Sequence, residues 1–217
     1  MPTVMIVGAS RGIGLELARQ YAAAGWRVHA TTRTLQDPGR LGRVPGDVVL
    51  HELDVRDANH ITALSESVRD EGIDVLIHNA GVSDRVLPPE EVMQINAHAP
   101  FIVTGALLPA VRRSTQKKVV LMTSQLGARR GSSRSLGSYG DSKAALNDAF
   151  RQRAPDWARR GLIAIVMHPG WVRTDMGGPG APLGVEKSAA GIISVIDRLT
   201  PSEHGRFWTW DGREHPW

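Results

Sequence analysis

A chain of 217 residues with 41% hydrophobic residues is long enough for one α/β domain with a full core, and the absence of cysteine excludes disulfides and thiolate chemistry. Its 26 basic residues outnumber the 22 acidic ones modestly, are nearly all arginines and are scattered. That gives no support to a nucleic-acid surface and fits a small anionic ligand as well. The apolar run over 4–7 is too short for a signal sequence, and no segment reaches the roughly 18 apolar residues of a membrane span. One soluble, cytoplasmic domain over 1–217, without nucleic-acid or membrane partners, is expected.

Residues 3–7 form a short apolar run that stops at Gly8-Ala9-Ser10-Arg11-Gly12-Ile13-Gly14, and helical spacing follows in Leu15, Leu17, Ala18, Tyr21 and Ala22. This reads as strand, glycine turn, helix. Glycines in such a turn let the backbone bend sharply and approach a pyrophosphate, which then faces the helix N-terminus. Gly8, Ser10, Arg11, Gly12, Ile13 and Gly14 are therefore candidate cofactor contacts, although Gly-x-x-x-Gly-x-Gly is not the commonest dinucleotide spacing. Gly25 closes the helix, a strand over 26–31 follows, and Arg33 stands at its end. An acid there would bond the ribose 2′-hydroxyl of NAD, whereas an arginine accepts the 2′-phosphate of NADP, with Arg11 as a second cation. The alternative is two solvated arginines.

Residues 35–47, with Pro38, Gly39, Gly42, Pro45 and Gly46, read as a loop. A strand over 48–53 ends at Asp54 and Val55, also candidate cofactor contacts. Asp54 either meets the adenine edge or satisfies backbone donors before a helix over 58–71. The strand over 73–77 runs into His78-Asn79-Ala80-Gly81, where small residues leave room for a ligand.

A long helix over 90–113 holds Asn96 in its interior, a poor helix former that asks for a reason such as a kink or an ordered water, unless it is merely exposed. The fifth strand, 117–122, is followed by Ser124, placed either to donate to a substrate oxygen or simply to make a turn. Residues 127–138 form a glycine- and serine-rich loop, and a helix over 139–160 leads to the sixth strand, 162–167. His168 is a proton donor or, alternatively, a packed strand-end histidine. The Gly- and Pro-rich stretch 176–184 looks like a substrate-covering loop, and a helix over 186–199 and a strand over 206–210 complete a seven-stranded pattern. Strands alternating with helices predict a single doubly wound Rossmann-type α/β domain, with a parallel sheet and helices on both faces. The two long helices carry more apolar and small residues than one sheet face covers, so a homo-oligomer, a dimer above all, is expected.

Tyr139-Gly140-Asp141-Ser142-Lys143 places a phenol and an ammonium one turn apart on a single helix face. At about 5 Å and an effective dielectric near 20, an ammonium would favour the phenolate by about 3 kcal/mol, roughly two pKa units. A tyrosine so tuned can do acid/base work near neutrality.

With these marks in order, the chain resembles the short-chain dehydrogenase/reductase family over essentially its whole length. They are Gly8-x-x-x-Gly12-x-Gly14, Asp54, Asn79-Ala80-Gly81, Asn96, Ser124, Tyr139-x-x-x-Lys143, and Pro169-Gly170 with Thr174. Within the family it is similar to the C-factor-like and sniffer-type carbonyl reductase branch, on the residues 122–127, 139–147, 168–172 and 205–217. The resemblance implies NADP(H) as cofactor, a small-molecule carbonyl substrate and no metal. It implies Tyr139 as acid/base, Lys143 on the nicotinamide ribose and lowering the tyrosine pKa, Ser124 polarising the carbonyl, and Asn96 holding a water in a proton relay. Asn79, Ala80 and Gly81 would flank the adenosine ribose, Pro169, Gly170 and Val172 would line the cofactor, and Thr174 would meet its carboxamide. His78 departs from the family's usual asparagine, and Ser124 lies 15 residues before Tyr139, a longer gap than is common. Some C-factor-like relatives suggest another reading, an NADP(H)-binding sensor or signalling protein with little turnover.

Overall fold

The computed structural model describes residues 1–85, 87–129 and 137–217. Its strands are β1 (Thr3–Val7), β2 (Arg27–Thr32), β3 (Val48–Glu52), β4 (Val75–His78), β5 (Lys118–Met122), β6 (Ile163–His168) and β7 (Phe207–Thr209). Among them run the helices α1 (Gly12–Ala23), α2 (Ala58–Ser67), α3 (Pro89–Met93), α4 (Ala99–Arg113), α5 (Gly137–Arg159) and α6 (Val185–Arg198). The strands form one seven-stranded sheet in the order β3-β2-β1-β4-β5-β6-β7, and every pairing is parallel. This is the doubly wound α/β architecture that the alternation of elements predicts.

Parallel strands covered on both faces need apolar side chains on both, which is why β1, β4 and β5 are buried along their whole lengths. Successive side chains point to opposite faces. Met5 and Val7 join Ile61 and Leu64 of α2, Val103 and Leu107 of α4, and Leu146 and Phe150 of α5 in one core. Val4 and Ile6 join Leu17 and Tyr21 of α1 and Ile192 and Ile196 of α6 in the other. The chain reverses its direction of winding between β1 and β4, and the crevice at the carboxyl ends of those strands is where open α/β sheets bind ligands.

The helix expected over 90–113 is one rod with a defect: a π-helical turn, Gln94–His98, separates α3 from α4. Asn96 lies in that turn with no exposed surface. Its Oδ1 accepts from the Val82 N–H at 2.9 Å, and its Nδ2 donates to the Val82 carbonyl at 2.8 Å and to Ser142 Oγ at 3.1 Å. The asparagine thus pairs with the loop after β4 as a neighbouring strand would and ties it to α5. π turns of this kind mark functional sites.

Smaller differences have local causes. The segment 35–47 is a loop, as expected, apart from a 3-10 turn, Leu41–Arg43, whose Leu41 plugs into the α1 core. The expected loop over 127–138 falls largely on 130–136, outside the described residues. Among the described residues of the two long helices, Ile102 is the one large hydrophobic that is exposed, and the small residues Gly105 and Pro109 are exposed beside it.

Replacing Asn96 by alanine leaves two half-buried Val82 backbone groups without partners. Asn96→Ala should therefore lower stability by about 1–3 kcal/mol in urea unfolding, with the slope of the transition unchanged.

Candidate active site

Two glycines make the turn after β1 what it is. Gly8 has φ +85°, and a Cβ there would stand 2.7 Å from the Ala80 Cα. At Gly14 a Cβ would stand 2.1 Å from the Gly8 carbonyl oxygen and 2.6 Å from Asn79 Nδ2. Asn79 Nδ2 donates to that same carbonyl at 2.8 Å, and Thr31 Oγ1 accepts from the Gly8 N–H at 2.9 Å. The turn is therefore pressed between β2 and the Asn79-Ala80 segment, at a distance that excludes any side chain. Gly81 closes the same wall, since its Cβ would meet Asn96 Oδ1 at 3.2 Å and Lys143 Nζ at 3.6 Å.

The N-terminus of α1 opens onto this cradle. Arg11 at its N-cap has extended backbone, no side chain caps the helix, and its first turn carries no acid. The unpaired N–H groups and the positive end of the dipole are thus left for an anion. Ser10 and Arg11 are exposed there, and Gly12 and Ile13 are half-buried. Arg33, just beyond β2, is exposed and forms no ion pair among the described residues. Arg11 Nη1 pairs instead with Asp175 Oδ2 at 3.1 Å, an exposed contact that contributes about 0–1 kcal/mol and is easily exchanged for another anion. Asp54 accepts from the Arg56 N–H at 2.9 Å and from Arg56 Nη2 at 2.7 Å, and these contacts hold its pKa at about 2. Val55 beside it is buried. A glycine cradle, an uncapped helix terminus and an unpaired arginine together fit an anionic dinucleotide.

At the end of β5, Ser124 caps a 3-10 turn, Gln125–Gly127, its Oγ accepting from the Leu126 N–H at 3.1 Å. The same side chain favours ionisation of Tyr139, in the first turns of α5. One turn further on, Lys143 is buried, donates from Nζ to the Met122 carbonyl at 2.9 Å and lies 5.9 Å from the centre of the Tyr139 ring. The helix thus sets tyrosine and lysine one turn apart, as their spacing predicts, and Ser124 stands on the turn packed against it.

The electrostatics correct one expectation. Tyr139 titrates above its ordinary value rather than below it: burial raises it first, the Ser124 hydrogen bond lowers it, and the Asp84 carboxylate raises it further. Loss of water outweighs the attraction calculated for an ammonium one turn away, and Lys143 is itself pushed down to about 8 by burial. His168 is buried and held neutral, down to about 4, mainly by that burial, as a packed strand-end histidine would be. His78 is pushed down to about 3 by burial and then by the Lys143 charge, and its Nε2 has no partner among the described residues.

The segment after β6 folds back over the same end of the sheet. Gly170 has φ +91°, and a Cβ there would stand 2.6 Å from Leu183 Cδ2. Ser188 Oγ donates to the Pro169 carbonyl at 2.7 Å, buried Val172 bridges to Leu183, and Thr174 Oγ1 accepts from the Gly177 N–H at 3.2 Å. Thr174 also touches the glycine turn, its Cγ2 lying 3.4 Å from where a Gly12 Cβ would be. Leu126, Trp171 and Met176 expose apolar surface on these loops.

The model of the short chain dehydrogenase family matches residues 2–181. The chain belongs to that family. The C-signal protein of Myxococcus xanthus is 40% identical over 154 residues, 67% of this chain and 93% of that protein. The carbonyl reductase Sniffer of D. melanogaster superposes with a TM-score of 0.87 at 26% identity, covering both chains completely. An NADPH-bound carbonyl reductase from chicken fatty liver gives 0.88 at 28% identity, over 100% of this chain and 99% of that one.

The short-chain dehydrogenase marks leave out side chains that the structure adds to the site. Asp84 Oδ2 accepts from the Tyr139 N–H at 3.3 Å and from Ser138 Oγ at 3.5 Å, capping the start of α5 from 55 residues away. Ser142 links Asn96 to the Tyr139 carbonyl, and Asn147 reaches the Ser124 turn. Nothing in local spacing marks Asp84, while Ser142 and Asn147 share the apolar-facing side of α5 with Lys143.

Lys143 titrates near 8 in the folded chain, against an ordinary 10.5. At lower pH both folded and unfolded states hold the proton, and the full penalty of burying it is present. Between the two values the unfolded state binds more protons, so stability rises with pH. From pH 8 to 10 the wild type should gain on the order of 2–3 kcal/mol relative to Lys143→Met, measured by urea unfolding at several pH values. A difference that does not change with pH would place the ammonium in water.

Proposed function

We propose that this protein is an NADPH-dependent carbonyl reductase acting on a ketone, aldehyde or quinone. The observation that carries the reading is the Tyr139 phenol with the Ser124 side chain favouring its ionisation and the Lys143 ammonium 5.9 Å from its ring centre. When bound, the cofactor supplies a hydride equivalent. The chain's own residues bind, orient and move the proton. Tyr139 Oη gives its proton to the substrate oxygen, and burial keeps that phenol protonated at neutral pH, which suits reduction. The Ser124 hydroxyl steadies the negative charge developing on the same oxygen. Lys143 would hold the nicotinamide ribose with its cationic donor. Asn96, whose amide bonds Val82 and Ser142, would hold a relay water. Leu126, Trp171 and Met176 offer the substrate an apolar wall.

The 2′-phosphate of NADP is assigned to Arg33, with Arg11 exchanging Asp175 for it. NADPH bound to the chicken carbonyl reductase supports this choice. A second reading, an NADP(H)-binding signalling protein with little turnover, draws on the likeness to C-signal. NADPH consumption against a panel of ketones, aldehydes and quinones separates the two, because a sensor binds the cofactor without oxidising it.

Tyr139→Phe keeps the ring and should bind NADPH while kcat falls by about 10²- to 10⁴-fold. Ser124→Ala should lose less, about 2.7–4 kcal/mol of transition-state stabilisation at most. Activity of Tyr139→Phe within about threefold of wild type would place the proton donor elsewhere. A charge-assisted phosphate contact contributes about 1.5–3 kcal/mol, so NADPH should be preferred over NADH by on the order of ten- to a hundredfold. Arg33→Asp should erase or invert that ratio in steady-state kinetics with both cofactors.

A further inference from the structure

Asn147 is buried in the middle of α5, and both ends of its amide are used. Its Oδ1 accepts from Thr123 Oγ1 at 2.7 Å, and its Nδ2 donates to the Gly127 carbonyl at 3.1 Å. These partners bracket Ser124: Thr123 precedes it, and Gly127 ends the 3-10 turn that Ser124 caps. The Gly127 N–H donates to the Ser124 carbonyl at 2.9 Å, so the bracketed segment is a closed turn. It also sits directly on the helix, because a Cβ on Gly127 would stand 2.6 Å from the Lys143 carbonyl carbon. Asn147 lies one helical turn beyond Lys143 and two beyond Tyr139, on the same face. Asparagine is a poor residue for a helix interior. Its presence is explained by a contact that neither leucine nor alanine can make.

We propose that Asn147 is a positioning residue that staples the Ser124 turn to α5 and so fixes the Ser124 hydroxyl against Tyr139. The inference rests on the reading of Ser124 and Tyr139 as the groups that meet the substrate oxygen. Tyr139 is carried rigidly by the helix, whereas Ser124 stands on a short turn at a strand end. Its Oγ is referred to Tyr139 through the staple, and misplacement of a reacting group by about 1 Å is enough to lower a rate by about a hundredfold.

The test is a double-mutant cycle of wild type, Ser124→Ala, Asn147→Leu and the double variant, read as kcat for the best carbonyl substrate together with NADPH affinity. Asn147→Leu is expected to lower kcat by about ten- to a hundredfold with NADPH affinity within about threefold, and to cause no further loss once Ser124 is alanine. Thr123→Val removes one bond of the staple with little change of shape and serves where Asn147→Leu does not fold. Its loss should be smaller, about three- to tenfold, and should likewise vanish in the Ser124→Ala background. Equal losses with and without Ser124 would overturn the positioning role and leave the proposed chemistry standing, as would a fall in NADPH affinity that accounts for the lost rate. Ser124→Ala with wild-type activity would instead remove the serine from the chemistry, and this inference with it.

Discussion

The site depends on an ammonium ion held inside the protein. Lys143 is buried, has the Met122 carbonyl as its hydrogen-bond partner and pairs with no carboxylate among the described residues. Burial lowers its pKa to about 8. A buried charge without a counter-ion lowers stability, and such arrangements concentrate where a ligand completes them. The neighbours are consistent with that reading: Gly81 contributes no side chain, and His78 stays neutral.

Near this cation the fold packs glycines against neighbouring backbone. β1 and β4 pair so that Val7 lies beside His78, which puts the glycine turn against Asn79-Ala80. β5 and β6 pair so that Met122 lies beside Met167, which brings Ser124 next to the segment that ends at Thr174. Parallel register therefore gathers four loops at the carboxyl end of the sheet, and the glycines let them pack closer than a Cβ would allow.

Polar side chains buried beneath the site hold it still. Asn96 pairs with Val82, Ser142 joins Asn96 to the Tyr139 carbonyl, and Asn147 joins α5 to the Ser124 turn. Each satisfies backbone or hydroxyl groups that would otherwise be buried without partners, which favours one arrangement over its alternatives. Asp84 caps α5 from the loop after β4, so one carboxylate both orders the start of the helix and opposes ionisation of the phenol it carries.

The parallel sheet was legible in the sequence because buried strands must be apolar on both faces, and the runs that end at Val7, Ile77 and Met122 are. The glycine turn and the Tyr139–Lys143 face were legible for a related reason: steric exclusion and helical periodicity are local, acting over a few residues. What depends on distance was not. The π turn under Asn96 exists because Val82 and Ser142 meet it in space. Asp84 reaches Tyr139 across 55 residues, and Asn147 acquires a role only where β5 brings Thr123 and Gly127 to the helix. The protonation of Tyr139 reversed the expectation for the same reason: the lysine's attraction follows from spacing, but the loss of water that outweighs it is set by everything packed around the ring. Sequence determined which groups could do the chemistry, and tertiary structure decided their distances, their burial and hence their charge.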